Sequence, residues 1–264
     1  MNKFLLILTL CCLGSAAAQA AVVGKEVDYK SNGTMLKGYV AYDDAIKGKR
    51  PGVIVVHEWW GQNEYARKRA RMLAELGYTA MAIDMYGDGK VVDNPDDAGK
   101  LAGAVYKDMP VAKARFEAGM EVLRKHKTVD ASEIAAYGYC FGGGIALGMA
   151  RMGGDLKGVA SFHGSLGTDS PAQPGKIKSR IISFSGDADP MIAADTVTAF
   201  KNEMDTAGVN YRVVIYPGAK HAFSNPEATE LGKKFNLPIA YDAEADKDSW
   251  KQATEFLREV FARK

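Results

Sequence analysis

A cysteine between two glycines is the side chain in this sequence best placed to act as a nucleophile. The pentapeptide Gly138-Tyr139-Cys140-Phe141-Gly142 follows the apolar run 134–139 and precedes a helical stretch of small residues, 143–152. A strand, a sharp turn and a helix in this order are typical of a nucleophile elbow, where glycines avoid collisions around the strained turn. A thiolate here predicts attack on activated carbonyls such as esters and thioesters. The alternative is a buried cysteine in a glycine-rich packing turn.

A nucleophilic thiol needs a base, and the base needs an orienting carboxylate, in the chain order nucleophile, acid, histidine. Asp189 and His221 fit this order, and each follows an apolar run of strand length. Asp187 is a competing candidate for the acid. The other histidines fit the base less well. We expect His126 to lie at a solvated helix end. We expect His57 and His163 to pack in the core or to line the pocket.

The motif His57-Glu58-Trp59-Trp60-Gly61 follows the first buried run, 52–57. Because a nucleophile elbow receives its second oxyanion donor from such a loop, we expect the backbone N–H groups of Trp59 and Phe141 to bind the oxyanion. Adjacent tryptophans point in different directions, which predicts that one packs in the core and one lines a pocket. The candidates for the pocket wall are Trp60, Tyr86 and His163.

Several classes of protein are excluded by composition and by incomplete motifs. The chain has 264 residues, 47% of them hydrophobic, with 34 basic and 32 acidic side chains and no dense basic run. A soluble protein is therefore expected, and neither nucleic acid nor an anionic membrane is an expected partner. The zinc motif H-E-x-x-H is incomplete because position 61 is glycine, and the glycines at 142–144 belong to the elbow rather than to a phosphate cradle. We predict no metal and no cofactor.

Alternating strands and helices must position these residues. Apolar runs without polar alternation, separated by segments of helical period, predict a mostly parallel α/β sheet with helices on both faces. Asn32-Gly33 predicts an N-terminal antiparallel hairpin, although Asn32-Gly33-Thr34 also fits a glycosylation site. We expect one domain over residues 21–264, with the irregular stretch 86–97 as a candidate lid. The six predicted strands are 52–57, 78–84, 134–139, 158–162, 181–185 and 211–216.

The first twenty residues have the pattern of a secretory signal peptide. Lys3 precedes a short apolar run, and small residues ending at Ala20 match an A-x-A cleavage site. Cleavage after Ala20 predicts an exported protein, periplasmic or secreted, with no membrane segment after cleavage. A retained membrane anchor is the alternative, but the run is shorter than the roughly 20 residues of a spanning helix. Cleavage also removes Cys11 and Cys12, which leaves Cys140 as the single thiol.

Five motifs, taken together, resemble the dienelactone hydrolase family in their order and spacing. They are His57-Glu58-Trp59-Trp60-Gly61, Asp84-Met85-Tyr86-Gly87, Gly138-Tyr139-Cys140-Phe141-Gly142-Gly143, Gly186-Asp187-Ala188-Asp189 and His221-Ala222-Phe223. The resemblance covers nearly all of the chain after the leader. It implies an α/β-hydrolase fold with a Cys140, Asp189 and His221 triad. It also implies that Glu58 controls the resting thiol and its activation when substrate binds.

The resemblance further implies hydrolysis of a small-molecule ester or lactone through an acyl-enzyme. Members that open dienelactone carry arginines for the substrate carboxylate, but the matching segments here, Gly87-Asp88-Gly89-Lys90 and Ser224-Asn225-Pro226, contain none. Lys90 offers one replacement charge without the bidentate geometry of arginine. We therefore expect a substrate other than dienelactone. A thiol acyltransferase or thioesterase and a non-catalytic small-molecule binding protein remain alternatives, and no feature predicts an oligomeric state.

Overall fold

Eight strands form one sheet in a computed structural model of the protein that describes residues 22–262. The order along the sheet is β1-β2-β4-β3-β5-β6-β7-β8. Pairing is parallel from β4 to β8, and β1 and β2 are antiparallel. The strands are β1 (Val22–Ser31), β2 (Thr34–Asp43), β3 (Arg50–Val56), β4 (Thr79–Ile83), β5 (Val129–Tyr139), β6 (Gly158–Phe162), β7 (Arg180–Gly186) and β8 (Tyr211–Tyr216).

Seven helices in the described part of the chain connect and cover these strands. They are α1 (Glu64–Glu75), α2 (Pro95–Lys107), α3 (Met109–Lys125), α4 (Phe141–Arg151), α5 (Ala194–Thr206), α6 (Ala228–Phe235) and α7 (Ala243–Phe261). Within residues 22–262, none of them combines the length and the apolar character that a bilayer crossing requires. The predicted leader, residues 1–20, lies outside the described residues.

Both faces of the sheet are buried, which explains the continuous apolar runs in the sequence. Successive residues of β3 alternate between two cores: Ile54 and Val56 pack with helices α2 to α5, and Val53 and Val55 pack with α1 and α7. Side chains in a strand alternate between faces, so a strand covered on both sides needs apolar residues at every position. The predicted mostly parallel α/β fold is confirmed.

The N-terminal hairpin is also confirmed, and its turn follows from the residue types. Asn32 and Gly33 connect β1 and β2 with φ of +46° and +81°. Two consecutive left-handed residues produce the turn whose twist matches a two-residue hairpin, and asparagine and glycine adopt this conformation at low cost.

Three features of the fold differ from the sequence expectations. Strand β8 is half-exposed rather than buried on both faces, because it is the last strand and has one neighbour, β7. Helices α2 and α6 were not predicted. The irregular stretch 86–97 ends in the first turn of α2. It is anchored by a bridge between Gly61 and Val91 and by the Asp84 carboxylate, which accepts three backbone N–H groups of the stretch.

The strand order reverses around β3, which lies between β4 and β5. In open parallel sheets the carboxyl ends of strands at such a reversal diverge and form a crevice that binds ligands. The loop after β3 begins at His57, and the turn after β5 contains Cys140. The topology therefore places the two main sequence motifs at the same edge of the sheet.

Candidate active site

Cys140 occupies a strained turn between β5 and α4. Its φ of +52° and ψ of −118° lie in a region that L-residues rarely adopt. A Cβ on Gly138 would lie 2.0 Å from the Gly142 carbonyl oxygen, and a Cβ on Gly142 would lie 2.3 Å from the Val56 carbonyl oxygen. The two flanking glycines are therefore needed for the turn to pack against β3. The thiol is at the N-terminus of α4, where the helix dipole favours negative charge.

His221 and Asp189 complete a chain of contacts to this thiol. His221 Nε2 lies 3.0 Å from Cys140 Sγ, and His221 Nδ1 donates to Asp189 Oδ2 at 2.8 Å. The loops after β7 and β8 carry these two side chains. The competing acid Asp187 is exposed and accepts a hydrogen bond from the Gly218 backbone, so it does not contact His221. The structure thus brings Cys140, Asp189 and His221 together.

The charge on His221 depends on its two partners. Burial alone lowers the pKa of a histidine, but the negative charge of Cys140 and the hydrogen bond to Asp189 outweigh it and raise the pKa of His221 to about 10. A negative charge on the Cys140 sulfur and a positive charge on His221 therefore favour each other. A thiolate beside an imidazolium is the arrangement that supplies a nucleophile and a proton donor in thiol enzymes.

The two predicted oxyanion donors differ in position along the chain but lie near the same thiol. Phe141 follows Cys140 directly, and Trp59 lines the cavities that contain Cys140. Among the hydrogen bonds of residues 22–262, none uses the backbone N–H of Trp59 or Phe141. Donors without protein acceptors are what a developing oxyanion requires.

Glu58 is buried beside His221 and interacts mainly with Asn225. One carboxylate oxygen accepts from Asn225 Nδ2 at 2.7 Å, and the other has no hydrogen-bond partner among the described residues. Burial is the largest effect and raises the pKa of Glu58 to about 7, although Asn225 and His221 oppose it. Asn225 was not singled out in the sequence, because its partner is 167 positions away.

Two apolar cavities meet at the thiol. The inner cavity has a volume of about 60 Å³ and is closed on one side by residues of α6 and the loop that follows it. The outer cavity has a volume of about 180 Å³ and extends along Phe141 and Tyr106. Neither wall contains a lysine or arginine, and the exposed Lys90 lies beside Asp88 instead. The residues common to both walls are Trp59, Cys140, Met191 and His221.

Three pocket expectations need correction. Both tryptophans line a cavity, because the Trp60 ring packs against Trp59 and Phe235 while one side still contributes to the inner cavity. Tyr86 lines neither cavity, since its hydroxyl donates to the Trp59 carbonyl and its ring packs on Phe141. His163 is fully buried behind the thiol and does not line them either.

Comparison with known proteins decides the family. The model of the Dienelactone hydrolase family matches residues 36–261. The chain belongs to the dienelactone hydrolase family. It is therefore a hydrolase of the class that acts on carboxylic ester or lactone bonds, and its α/β-hydrolase fold is that of the family.

Individual relatives of this dienelactone hydrolase family member cover almost the whole chain. Protein usf of Aquifex pyrophilus is 29% identical over 90% of this chain and 99% of its own length. A dienelactone hydrolase-like promiscuous phosphotriesterase from metagenomic libraries is 33% identical, with a TM-score of 0.84 over 92% of this chain and all of the other. The dienelactone hydrolase of Anabaena variabilis, 16% identical with a TM-score of 0.64, shares the fold over 90% of this chain and 98% of its own.

Two buried histidines support the site in this member of the family. The Cys140 backbone N–H donates to the Phe162 carbonyl at 2.9 Å and also to His163 Nδ1 at 3.2 Å. Nδ1 is therefore the acceptor nitrogen, and the protonated Nε2 donates to Ser224 Oγ at 2.8 Å. Burial, with the nearby His221 and Arg69, lowers the pKa of His163 well below its usual value. His163 is therefore a neutral spacer between the strained turn and His221. His57 is likewise buried, and its Nε2 accepts the Met85 backbone N–H.

A buried arginine on α1 holds the layer behind these histidines, and the sequence reasoning missed it. Arg69 donates to the Ser224 carbonyl at 2.6 Å and to Asp246 at 2.5 Å. Its guanidinium also lies over the rings of Tyr65, Tyr139 and Trp250. The available signal was its position on the apolar face of a helix, since buried charges are rare unless they are paired.

We expect Arg69→Met to lower the free energy of unfolding by about 3 kcal/mol, because Asp246 would stay largely buried without its cation. Side-chain exposures of 4% and 16% mark this as a buried pair. Arg67→Met on the same helix is the control, and we expect a loss below about 1 kcal/mol because its pair with Glu26 is exposed. Urea unfolding followed by circular dichroism measures both, and equal losses would contradict the supporting role.

Proposed function

We propose that this protein is an exported hydrolase of small, uncharged carboxylic esters or lactones that acts through an acyl-enzyme on Cys140. The observation that carries the proposal is the continuous chain from Cys140 Sγ through His221 to Asp189, at 3.0 and 2.8 Å, next to an apolar cavity. The family supplies the hydrolase class, and this chain of contacts supplies the nucleophile and its base.

In the proposed first step the Cys140 thiolate attacks the substrate carbonyl. The carbonyl oxygen becomes an oxyanion within reach of the free N–H groups of Trp59 and Phe141. The carbon–oxygen bond then breaks, and the leaving alkoxide takes the proton from His221 Nε2. The products are an alcohol and a thioester on Cys140. For a lactone the alcohol stays attached to the acyl group.

The second step regenerates the thiolate. Neutral His221 takes a proton from water, and the resulting hydroxide attacks the thioester carbonyl. The carbon–sulfur bond breaks, and Cys140 leaves as thiolate next to the imidazolium of His221. Asp189 keeps Nδ1 protonated in both steps, so that Nε2 is the nitrogen that exchanges the proton.

The cavity walls favour uncharged substrates. A substrate carboxylate would enter a site without lysine or arginine and near the buried carboxyl of Glu58, which costs desolvation energy without a counter-charge. We expect kcat/KM for p-nitrophenyl butyrate to exceed that for the p-nitrophenyl monoester of succinate by at least about tenfold, a difference near 1.4 kcal/mol. The two acyl chains are matched in length, and equal rates would contradict a site selective for uncharged substrates.

Acyl transfer to Cys140 is tested directly by mass. Rapid quenching after mixing with p-nitrophenyl butyrate is expected to give an intact mass raised by one butyryl group in the wild type. Cys140→Ala is the control and is expected to give no adduct. Ester turnover by the wild type with no adduct on Cys140, together with no adduct in a His221→Ala variant in which deacylation is blocked, would overturn the mechanism.

Phosphotriester hydrolysis is a second candidate activity. The relative from metagenomic libraries is described as a promiscuous phosphotriesterase and is 33% identical across 92% of this chain. A phosphotriester is also uncharged and would place its phosphoryl oxygen where the ester oxyanion forms. Paraoxon added to the same ester panel tests this activity, and turnover lost in Cys140→Ala would assign it to the same thiol.

Glu58 links the site to pH. Its pKa is 4.5 before folding and about 7 in the folded protein. A carboxyl with a raised folded pKa binds its proton more tightly in the native state, so the free energy of unfolding falls as pH rises from about 4.5 to 7. We expect this loss to reach about 3 kcal/mol. His221 and the buried histidines also contribute to the pH dependence in this range, so the loss is measured as the difference between wild type and Glu58→Gln in urea unfolding at pH 4.5 and 8. Identical pH profiles of the two proteins would contradict the burial argument.

Export follows from the proposed cleavage after Ala20. Expression of the full chain in a Gram-negative host with fractionation gives the test. The protein in the periplasm or medium is expected to have the mass of a chain that begins at Ala21. Full-length protein retained in the cytoplasm would contradict export. Removal of the leader would leave Cys140 as the single cysteine.

A further inference from the structure

A second site with unpaired polar groups lies far from the thiol. Arg50 is the first residue of β3, and its side chain is 94% buried, with 6% of its surface exposed. All three guanidinium nitrogens lack a hydrogen-bond partner among the described residues. Buried polar groups in proteins are almost always paired, and buried charges especially so. An orphaned buried guanidinium therefore points to a ligand that completes it.

No carboxylate in residues 22–262 forms an ion pair with Arg50 within 4.0 Å. Asp43 is the nearest acid in electrostatic effect, but its carboxylate accepts the Ala45 backbone N–H at 2.8 Å. Burial, the largest effect, lowers the pKa of Arg50, and Asp43 opposes it. A guanidinium remains charged under these conditions, so the side chain is an incompletely compensated cation.

Arg50 lines a cavity of about 270 Å³ with a strongly basic wall, and its guanidinium nitrogens lie buried behind that wall. This volume is far above the roughly 15 Å³ that admits one water molecule. Lys47, Lys49 and Lys127 contribute three further cations, and Asp44 contributes the one carboxylate of the wall. Three of these residues belong to the sequence Lys47-Gly48-Lys49-Arg50, which is too short to stand out as a basic run. The cluster becomes dense only because the segment just before β5 brings Lys127 to the same cavity.

A neighbouring histidine reports the same positive field. The His126 ring packs at a tilt against the ring of Tyr42, and its Nδ1 lies 2.8 Å from the hydroxyl of Thr128; both partners line the cavity. Burial first, and then the charges of Lys127, Arg50 and Lys25, lower the pKa of His126. The positive charge around His126 is a separate observation from the missing hydrogen bonds of Arg50. The sequence expectation of a solvated helix end is corrected, because His126 is half-buried and caps α3.

We propose that this cavity binds a phosphate oxyanion, with Arg50 as the bidentate ligand and the three lysines as surrounding charges. Guanidinium groups pair with phosphate through two parallel N–H···O bonds, and five N–H donors need more acceptor oxygens than one carboxylate provides. Four cations face two carboxylates, Asp44 in the wall and Asp43 behind it, so the excess positive charge favours an anion. Free phosphate and the headgroup of an anionic phospholipid share this chemistry.

The site is separate from the thiol. Arg50 begins β3 and the His57 loop follows its other end, six residues beyond, which corresponds to about 20 Å at the rise of a strand. Ligands at the two sites therefore do not share residues. Esterase activity is expected to be unchanged in variants of the basic cavity.

Titration of the full chain with inorganic phosphate at fixed ionic strength tests the proposal. We expect calorimetry to show saturable binding in the wild type and at least tenfold weaker binding in Arg50→Gln. Arg180→Gln is the matched control, because Arg180 also begins a parallel strand but is only half-buried and is paired with Glu259. NMR should show phosphate raising the pKa of His126 in the wild type and in Arg180→Gln. Equal phosphate affinity in Arg50→Gln and wild type would overturn the site.

Two further measurements keep the test decisive. If Arg50→Gln does not fold, the variant with Lys47, Lys49 and Lys127 all changed to glutamine replaces it, since these side chains are exposed. Unchanged phosphate affinity in that variant would overturn the proposal. Vesicles of phosphatidylglycerol or phosphatidylcholine separate the two sources of phosphate: selective binding to phosphatidylglycerol that Arg50→Gln loses assigns the lipid headgroup, and binding of free phosphate alone assigns a soluble anion. Binding of neither is incompatible with the site.

Discussion

Cys140→Ala is expected to reduce kcat/KM for p-nitrophenyl butyrate by about 10³-fold or more. Removal of the sulfur abolishes the covalent route, and only binding and oxyanion stabilisation remain. The backbone should tolerate the change, because the strain lies in the φ and ψ of residue 140 rather than in contacts of its side chain. Initial rates with a fluorescent or chromogenic ester measure the loss.

Cys140→Ser is the informative companion to the alanine variant. Serine keeps the size of the side chain but not the thiolate whose charge raises the pKa of His221 to about 10. We expect the pKa of His221 in this variant to fall toward the ordinary histidine value of about 6.5, which NMR titration of the imidazole detects. An unchanged His221 titration, or full ester activity in Cys140→Ala, would contradict the ion pair and the nucleophile respectively.

Asp189→Asn is expected to lower kcat by about 10³- to 10⁴-fold with little change in KM. An asparagine amide can donate to His221 Nδ1 and so stabilise the wrong tautomer, with the proton on the nitrogen that faces the thiol. The loss arises because Asp189 Oδ2 accepts from Nδ1 at 2.8 Å in a buried setting. Steady-state kinetics with one ester separate kcat from KM.

Asp187→Asn is the matched control, because both aspartates lie in the same short loop. Asp187 is exposed and binds the Gly218 backbone N–H, which an asparagine oxygen can also accept. We expect less than a twofold change in kcat. If the two variants lost activity equally, the acid of the triad would have to be reassigned.

Several parts of the fold were predictable because their causes are local. Asn32-Gly33 closes a hairpin since both residues tolerate positive φ, and the runs in β3 to β7 are mostly apolar on both sides since both faces of the sheet are covered. Strand β8 breaks this rule, and its apolar residues do not reveal that it has a neighbour on one side only. An edge position is a property of the sheet, not of the segment.

Some residues of the site were also predictable from local sequence, and others were not. The elbow was readable because the strained turn, its glycines and its flanking elements are contiguous in the chain. The contacts of Glu58 with Asn225 and of Arg69 with Ser224 join residues 167 and 155 positions apart, and neither partner carries a local signal. His163 and Tyr86 were placed in the pocket wall from their loop positions, but packing turned both toward the layer behind it.

The sequence by itself determined the class of fold, the strained turn at Cys140 and the order of nucleophile, acid and base. These depend on periodicity, on glycine at defined offsets and on the direction of parallel strands, all of which are local or topological constraints. The tertiary structure shows that Asp189 rather than Asp187 meets His221, as the family resemblance implied. It alone decided that both tryptophans line a cavity. It alone left the guanidinium of Arg50 buried without a partner. These outcomes depend on contacts between segments that are far apart in the sequence. Such contacts are set by packing and cannot be read from neighbouring residues.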